Sequence, residues 1–297
     1  MGQSTNDTYP SSIKVAVVDF VDKLVAQMKK LQKSFLVKAQ EYKNIVKVGR
    51  TQLQDAVPMT FGQWFNNYAN QVELSISFLE EAKKTMFGLN MGATAIGTGI
   101  TALPGYKNAV NKRIKEIIDK NFYIAEDLFV GTQDASSFSC VSGAIKRFAL
   151  QLSKICNDLR LLSSGPKAGL AEIILPAMQP GSSIMPGKVN PVIPEVVNQV
   201  CFQVVGFDTA VAFAIEGGQL ELNAFEPLIA FNLFSSCNMM VNAIEALITN
   251  CISGLKVNLE RNEYYTTNIV SIVTALKNEI GYKKAAEVAQ QALLQNK

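Results

Sequence analysis

Two adjacent serines, a lysine and an asparagine share one short stretch, GSSIMPGKVNP, from Gly181 to Pro191. Its glycines and prolines exclude the interior of a helix or strand. The apolar run from Val192 onward predicts that a helix begins where the stretch ends. Free backbone N–H groups and the positive end of the helix dipole favour an anion at such a place. Ser182, Ser183, Lys188 and Asn190 add donors and one positive charge, so the chemistry on offer is capture of a carboxylate or phosphate. Two other stretches carry uncharged donors: Ser4, Thr5 and Asn6 in STND, and Thr51 and Gln52 in GRTQ. Taken singly, STND reads as a helix cap and GRTQ as a turn.

The chain contains no histidine. Every Ser–His or Cys–His nucleophile scheme is therefore removed, and acid–base chemistry must use something else. The cysteines (Cys140, Cys156, Cys201, Cys237 and Cys251) are scattered without CxxC spacing. They are expected to be small buried hydrophobes in a reducing compartment, and no metal is expected.

The elements that must position these residues read as helices. Val17, Val21, Leu24, Met28, Leu31 and Phe35 fall on one helical face within residues 11–42, with Pro10, Ser11 and Ser12 as a start signal. Further helices are predicted at 63–86, 107–120, 133–162, 192–215, 225–253 and 258–293, with a turn at 49–62. No stretch alternates convincingly with period two, so the fold class is all-α. The segment 88–105, GLNMGATAIGTGITALPG, is read as a structural turn, because no strand precedes it and it lacks the GKS or GKT of a phosphate loop. Residues 192–215 are apolar nearly all round and must be covered on every side, which points to an oligomeric bundle.

Composition sets the remaining bounds. With 48% hydrophobic and 18% charged residues in 297, the chain can bury a sizeable core and is not disordered. A net charge of +3 is too small at this length for a nucleic-acid surface. The sequence shows no uninterrupted apolar run of transmembrane length and no signal-peptide pattern, so a soluble cytoplasmic protein is expected.

GSSIMPGKVNP resembles the signature of the fumarase/aspartase superfamily, and STND and GRTQLQDAVPMTFGQ match that family in order. VNPVIPEVVNQV and SSGPKAGLAEIILP are similar to its aspartase branch. The resemblance implies a long-helix bundle, the central domain of the superfamily, assembling as a tetrameric helical core with each active site shared between subunits. It implies elimination of ammonia from L-aspartate to give fumarate, without cofactor or metal. Ser182 would be the base, acting as an alkoxide. Ser183 would hold the β-carboxylate with Ser4 and Thr5. Lys188, Asn190 and Thr51 would bind the α-carboxylate side, and Asn6 with Gln52 would face the amino group. Gln52 stands where fumarases and some aspartases have histidine.

Reach supports sharing. A helix over 12–42 separates its ends by about 45 Å at roughly 1.5 Å per residue, so STND and GRTQ cannot meet within one chain. The chain opens inside a motif that is internal in the family. Residues 1–280 are therefore expected to be the central helical domain and 281–297 the start of a truncated C-terminal domain, with the N-terminal domain lacking. Malate-to-fumarate chemistry (a fumarate hydratase) and a non-catalytic helical assembly module are the competing readings.

Overall fold

The computed structural model describes residues 2–182, 184–269 and 281–295. Ser183, and the part of the 258–293 helix reading that falls on 270–280, lie outside the described residues. The elements are α1 (Thr5–Glu41), β1 (Val46–Thr51), β2 (Gln54–Thr60), α2 (Phe61–Lys83), β3 (Gly88–Leu89), α3 (Tyr106–Ile117), β4 (Tyr123–Ile124) and α4 (Leu128–Gln133). They continue with α5 (Ser136–Leu162), β5 (Ile173–Ile174), α6 (Val192–Glu216), α7 (Glu226–Leu247) with a π turn at Ile248–Ile252, β6 (Lys256–Val257), α8 (Leu259–Asn268) and α9 (Tyr282–Gln295). Helices dominate and the expected class holds. The turn expected at 49–62 is instead largely an antiparallel hairpin of β1 and β2. The other strands pair two residues at a time, β3 with β4 and β5 with β6.

Helix α1 begins earlier than its proline signal, with Pro10 inside it. Proline lacks the N–H that would bond the carbonyl four residues back, which is Asn6. The Asn90 amide donates to that carbonyl instead, at 3.0 Å, so the orphaned acceptor is satisfied. The apolar face of α1 behaves as its spacing requires: Val17, Val21, Leu24, Met28, Leu31 and Phe35 are all buried.

The chain divides into two compact units. The first comprises Met1–Lys30, Gln71–Cys156 and Glu195–Leu247. Its core includes Val21 and Leu24 of α1, Val141 and Phe148 of α5, Val197 and Val204 of α6, and Leu233 and Met240 of α7. The second comprises Leu31–Asn70, Asn157–Pro194 and Ile248–Lys297. It is centred on an aromatic cluster in which Trp64 packs edge-on against Phe61, Phe65 and Tyr68.

Helices α6 and α7, the latter with its π turn, are long and apolar enough to cross a membrane by length and composition. This corrects the reading that no such run exists. Two polar residues of α6 are nevertheless paired with α5. Asp208 of α6 accepts from Ser142 at 2.7 Å and ion-pairs with Lys146, and Asn198 donates to Ser153 Oγ at 2.8 Å. Much of the apolar surface of these helices stays uncovered in the single chain. Phe202 and Phe213, three turns apart on one face of α6, are 62% and 71% exposed. Leu228 and Phe231 of α7 are also exposed.

All five cysteines are free thiols and all but Cys140 are buried. Burial pushes the Cys201, Cys237 and Cys251 thiols up to about 12, leaving them inert.

Candidate active site

STND forms the start of α1 in the first unit. The Asn6 N–H donates to Ser4 Oγ at 3.1 Å, and the Ser4 N–H donates to Asp7 Oδ1 at 3.1 Å. This is a reciprocal capping box. The Ser4 hydroxyl accepts in that box and keeps its own proton for another partner. Thr5 is exposed, and Asn6 Nδ2 donates to the Ala95 carbonyl at 2.8 Å. STND is therefore a cap, as its residue types alone predict, and it also presents a hydroxyl and an amide outward. Asp7 is a residue that the sequence reading passed over. It is fully buried, and its Oδ2 accepts from the N–H groups of Gly92 and Thr94 at 3.2 and 3.1 Å. The acidic residue three places after Ser4 is the signal that could have found it.

GRTQ occupies the tip of the hairpin in the second unit. Thr51 pairs with Gln54, so Gln52 and Leu53 form a two-residue turn with φ of 51° and 63°. Positive φ at both central residues is the type I′ pattern that matches strand twist. Thr51 and Gln52 are both exposed. The base of the hairpin is held by charge. Glu172 is fully buried, ion-paired to Arg50, and 3.3 Å from Lys47 Nζ. Burial pulls the Lys47 ammonium below the usual lysine range, and the Glu172 carboxylate opposes that shift. The Glu172 carbonyl accepts from Asn262 Nδ2 at 2.9 Å. The Arg261 guanidinium donates to the Leu170 and Gly169 carbonyls at 3.2 and 3.1 Å. The segment SSGPKAGLAEIILP thus clamps the strand that ends in Thr51.

The signature stretch is a closed loop leading into α6, as expected. Asn190 Nδ2 donates to the Gly181 carbonyl at 3.3 Å and the Lys188 N–H to the Met185 carbonyl at 3.2 Å. A Cβ at Gly181 would collide with the Lys188 carbonyl oxygen, so glycine is required for the loop to close. Ser182 Oγ accepts from the N–H groups of Ile184 and Met185 at 3.3 and 3.2 Å. Two donors aimed at one hydroxyl oxygen favour its negatively charged form. Lys188 is exposed and Asn190 half-buried; Ser183 lies outside the described residues.

Ser182, Lys188, Asn190, Thr51 and Gln52 thus belong to the second unit, and Ser4, Thr5 and Asn6 to the first. No hydrogen bond joins Thr51 or Gln52 to the signature loop among the described residues. A cavity of about 480 Å³ in the second unit is lined by Gln40, Lys43 and Asn44 together with Thr60, Gly62 and Gln63 from the end of GRTQLQDAVPMTFGQ, and none of the candidate site residues lines it. Among the described residues no group of three or more His, Cys, Asp or Glu could hold a metal.

Comparison with known proteins gives a consistent set of likenesses. A family model described as lyase matches residues 1–206. The chain is 54% identical over 291 residues to an aspartate ammonia-lyase of Helicobacter pylori, covering 98% of this chain and 62% of that relative. It superposes with a TM-score of 0.96 on a cobalt-bound fumarate lyase:delta crystallin from Brucella melitensis, at 45% identity, covering 100% of this chain and 65% of that one. A class II fumarase from Schistosoma mansoni also gives a TM-score of 0.96, at 32% identity, with 100% and 65% covered.

Proposed function

The chain belongs to the lyase family, within the fumarase/aspartase superfamily, and from that premise we propose that it eliminates ammonia from L-aspartate to give fumarate. The observation that carries the reading is the Ser182 hydroxyl facing two backbone N–H groups, in a chain with no histidine to serve as base. Ser182 as alkoxide removes the proton from the carbon beside the β-carboxylate and becomes a hydroxyl. Negative charge passes to the β-carboxylate as an enediolate, and the C–N bond then breaks to release ammonia. Ser4, Thr5 and Ser183 hold the β-carboxylate, where donors strengthen as charge develops. Thr51, Lys188 and Asn190 bind the α-carboxylate, and Asn6 and Gln52 face the amino group.

In this reading residues 1–280 act as the central helical domain and 281–297 begin a C-terminal one, in a chain that spans 62% of the length of the Helicobacter pylori relative. Free, mostly buried thiols suit the cytoplasm. The test is absorbance in the fumarate band with L-aspartate or L-malate supplied. Fumarate from aspartate is the expected result. Fumarate from malate alone would replace the reading by a fumarate hydratase, a possibility supported by the likeness to a fumarase along the whole chain. Silence with both substrates in a folded oligomer would leave only an assembly module.

The reading requires assembly. In sequence STND and GRTQ are separated by a predicted helix of about thirty residues, a reach of roughly 45 Å at about 1.5 Å each. Each site is therefore built from motifs of different copies in a homotetramer. Phe202, Phe213, Leu228 and Phe231 supply apolar surface for its core, and leaving such surface in water costs about 25 cal/mol per Å². Light scattering on the purified chain is expected to give the mass of four chains. A stable, well-folded monomer at micromolar concentration would refute both the assembly and the shared site.

A further inference from the structure

We infer that the open cavity of about 480 Å³ between the end of α1 and the start of α2 binds a small polar organic anion, apart from the candidate active site. Its size falls within the range of small-ligand clefts. Leu36 lines it from the last turns of α1, and Lys43 and Asn44 from the turn that leads to β1. Thr60 ends β2, and Gln63 and Asn66 belong to the first turns of α2. The walls are pinned before any ligand arrives. The Gly62 N–H donates to the Tyr42 carbonyl at 3.0 Å and the Phe61 N–H to the Ile45 carbonyl at 2.8 Å, so the turn carrying Lys43 is tied to α2. A Cβ at Gly62 would lie 2.6 Å from Lys43 Cα, and only glycine lets the two segments come so close.

Hydrogen bonding within the wall sets the sign of the site. Thr60 and Gln63 form a capping box, in which the Gln63 N–H donates to Thr60 Oγ1 at 3.0 Å and the Thr60 N–H to Gln63 Oε1 at 2.9 Å. The oxygen of the Gln63 amide is thereby spent, and its NH₂ is what remains to offer. The Thr60 hydroxyl accepts within the box and keeps its own proton to give. Lys43 adds an exposed ammonium, and no carboxylate lines the cavity among the described residues. Glu41, two places before Lys43, is taken up by Lys38 at 2.9 Å. The N–H groups of Phe61, Gly62 and Gln63 are already bonded, so recognition rests on these side chains and not on the helix end. A positive charge beside neutral donors is complementary to a carboxylate or phosphate. The Asn44 and Asn66 amides suit hydroxyl groups on the ligand's frame, and Leu36 suits its carbon atoms.

The test is calorimetric titration of the whole chain with glycerol phosphate and with glycerate, which carry a phosphate and a carboxylate on similar polyol frames. Saturable binding is expected, and the tighter ligand identifies the charged group. Gln63→Glu keeps the capping box, because a carboxylate oxygen still accepts from the Thr60 N–H, but it replaces the free NH₂ by a second negative oxygen. Binding should be lost. Lys43→Ala should weaken binding about tenfold, the scale of one hydrogen bond to a charged group. Trp64, the only tryptophan in the chain, directly follows Gln63, and its emission should change on binding in the unmodified chain and not in Gln63→Glu. If Gln63→Glu does not fold by circular dichroism, Lys43→Ala decides. Lys188→Ala should bind as the unmodified chain does. Binding that survives the cavity substitutions but disappears in Lys188→Ala would place the anion on the signature loop and overturn the proposal. Absence of saturable binding with both ligands would overturn it too. None of these measurements involves fumarate, so this proposal and the functional reading fail separately.

Discussion

Ser182→Ala is expected to lower fumarate production from L-aspartate about 10²–10⁴-fold, the usual contribution of a positioned base. Secondary structure and oligomeric mass should not change. Among the described residues the hydroxyl's hydrogen-bond partners are the Ile184 and Met185 N–H groups of its own loop. With no histidine in the chain, nothing nearby inherits the role. Lys188→Ala should behave differently, raising KM and lowering kcat together, because it removes a carboxylate partner from ground and transition states alike. Steady-state kinetics on the two variants separates these outcomes. Near-normal turnover in Ser182→Ala would show that the base lies elsewhere.

Glu172→Gln is expected to be the most destabilising single substitution in the second unit. It takes the buried counterion from Lys47, 5% exposed, and leaves Arg50, 13% exposed, with only the exposed Asp55 carboxylate at 3.8 Å. Removing one partner of a buried ion pair costs about 3–5 kcal/mol, because a buried charge, here that of Lys47, is left without its counterion. Urea unfolding should show this as a lowered midpoint with the slope unchanged. The double variant Glu172→Gln with Lys47→Met should recover part of the loss, since it removes the stranded charge. A loss below about 1 kcal/mol, the scale of an exposed pair, would show that the network is solvated and does not anchor the hairpin.

The helical framework was legible because it rests on repetition. The α1 stripe from Val17 to Phe35 announces its buried face through spacing alone. The signature loop was equally legible, since glycine, proline and hydroxyl residues before an apolar run specify a loop at a helix start. The hairpin was not. A register shift between Val48 and Arg50 interrupts β1, and Pro58 sits within β2, so neither strand alternates cleanly. The supporting carboxylates were harder still. Asp7 and Glu172 lie in no periodic pattern, and their partners sit far along the chain, at Gly92 and Thr94 for one and at Lys47 and Arg50 for the other. A lone acid gives no sign of which distant backbone or cation will claim it. The start of α1 was missed for a related reason: Pro10 is tolerated inside the helix only because Asn90, 84 residues from Asn6, replaces the bond it deletes.

The hairpin tip carries a further consequence, one of exchange between robustness and catalysis. Gln52 and Leu53 both adopt left-handed backbone conformations, which glycine or asparagine enters far more readily than either. Non-glycine residues held there cost about 1–3 kcal/mol each. Gln52 has a use for its side chain in the proposed site, whereas Leu53 is 69% exposed and gains little from burial. Leu53→Gly should therefore make the isolated chain harder to unfold. If the same change weakens turnover or assembly, the strained leucine is a contact reserved for a neighbouring subunit, and its cost to the lone chain is the measure of how far this protein is adapted to function only as an assembly.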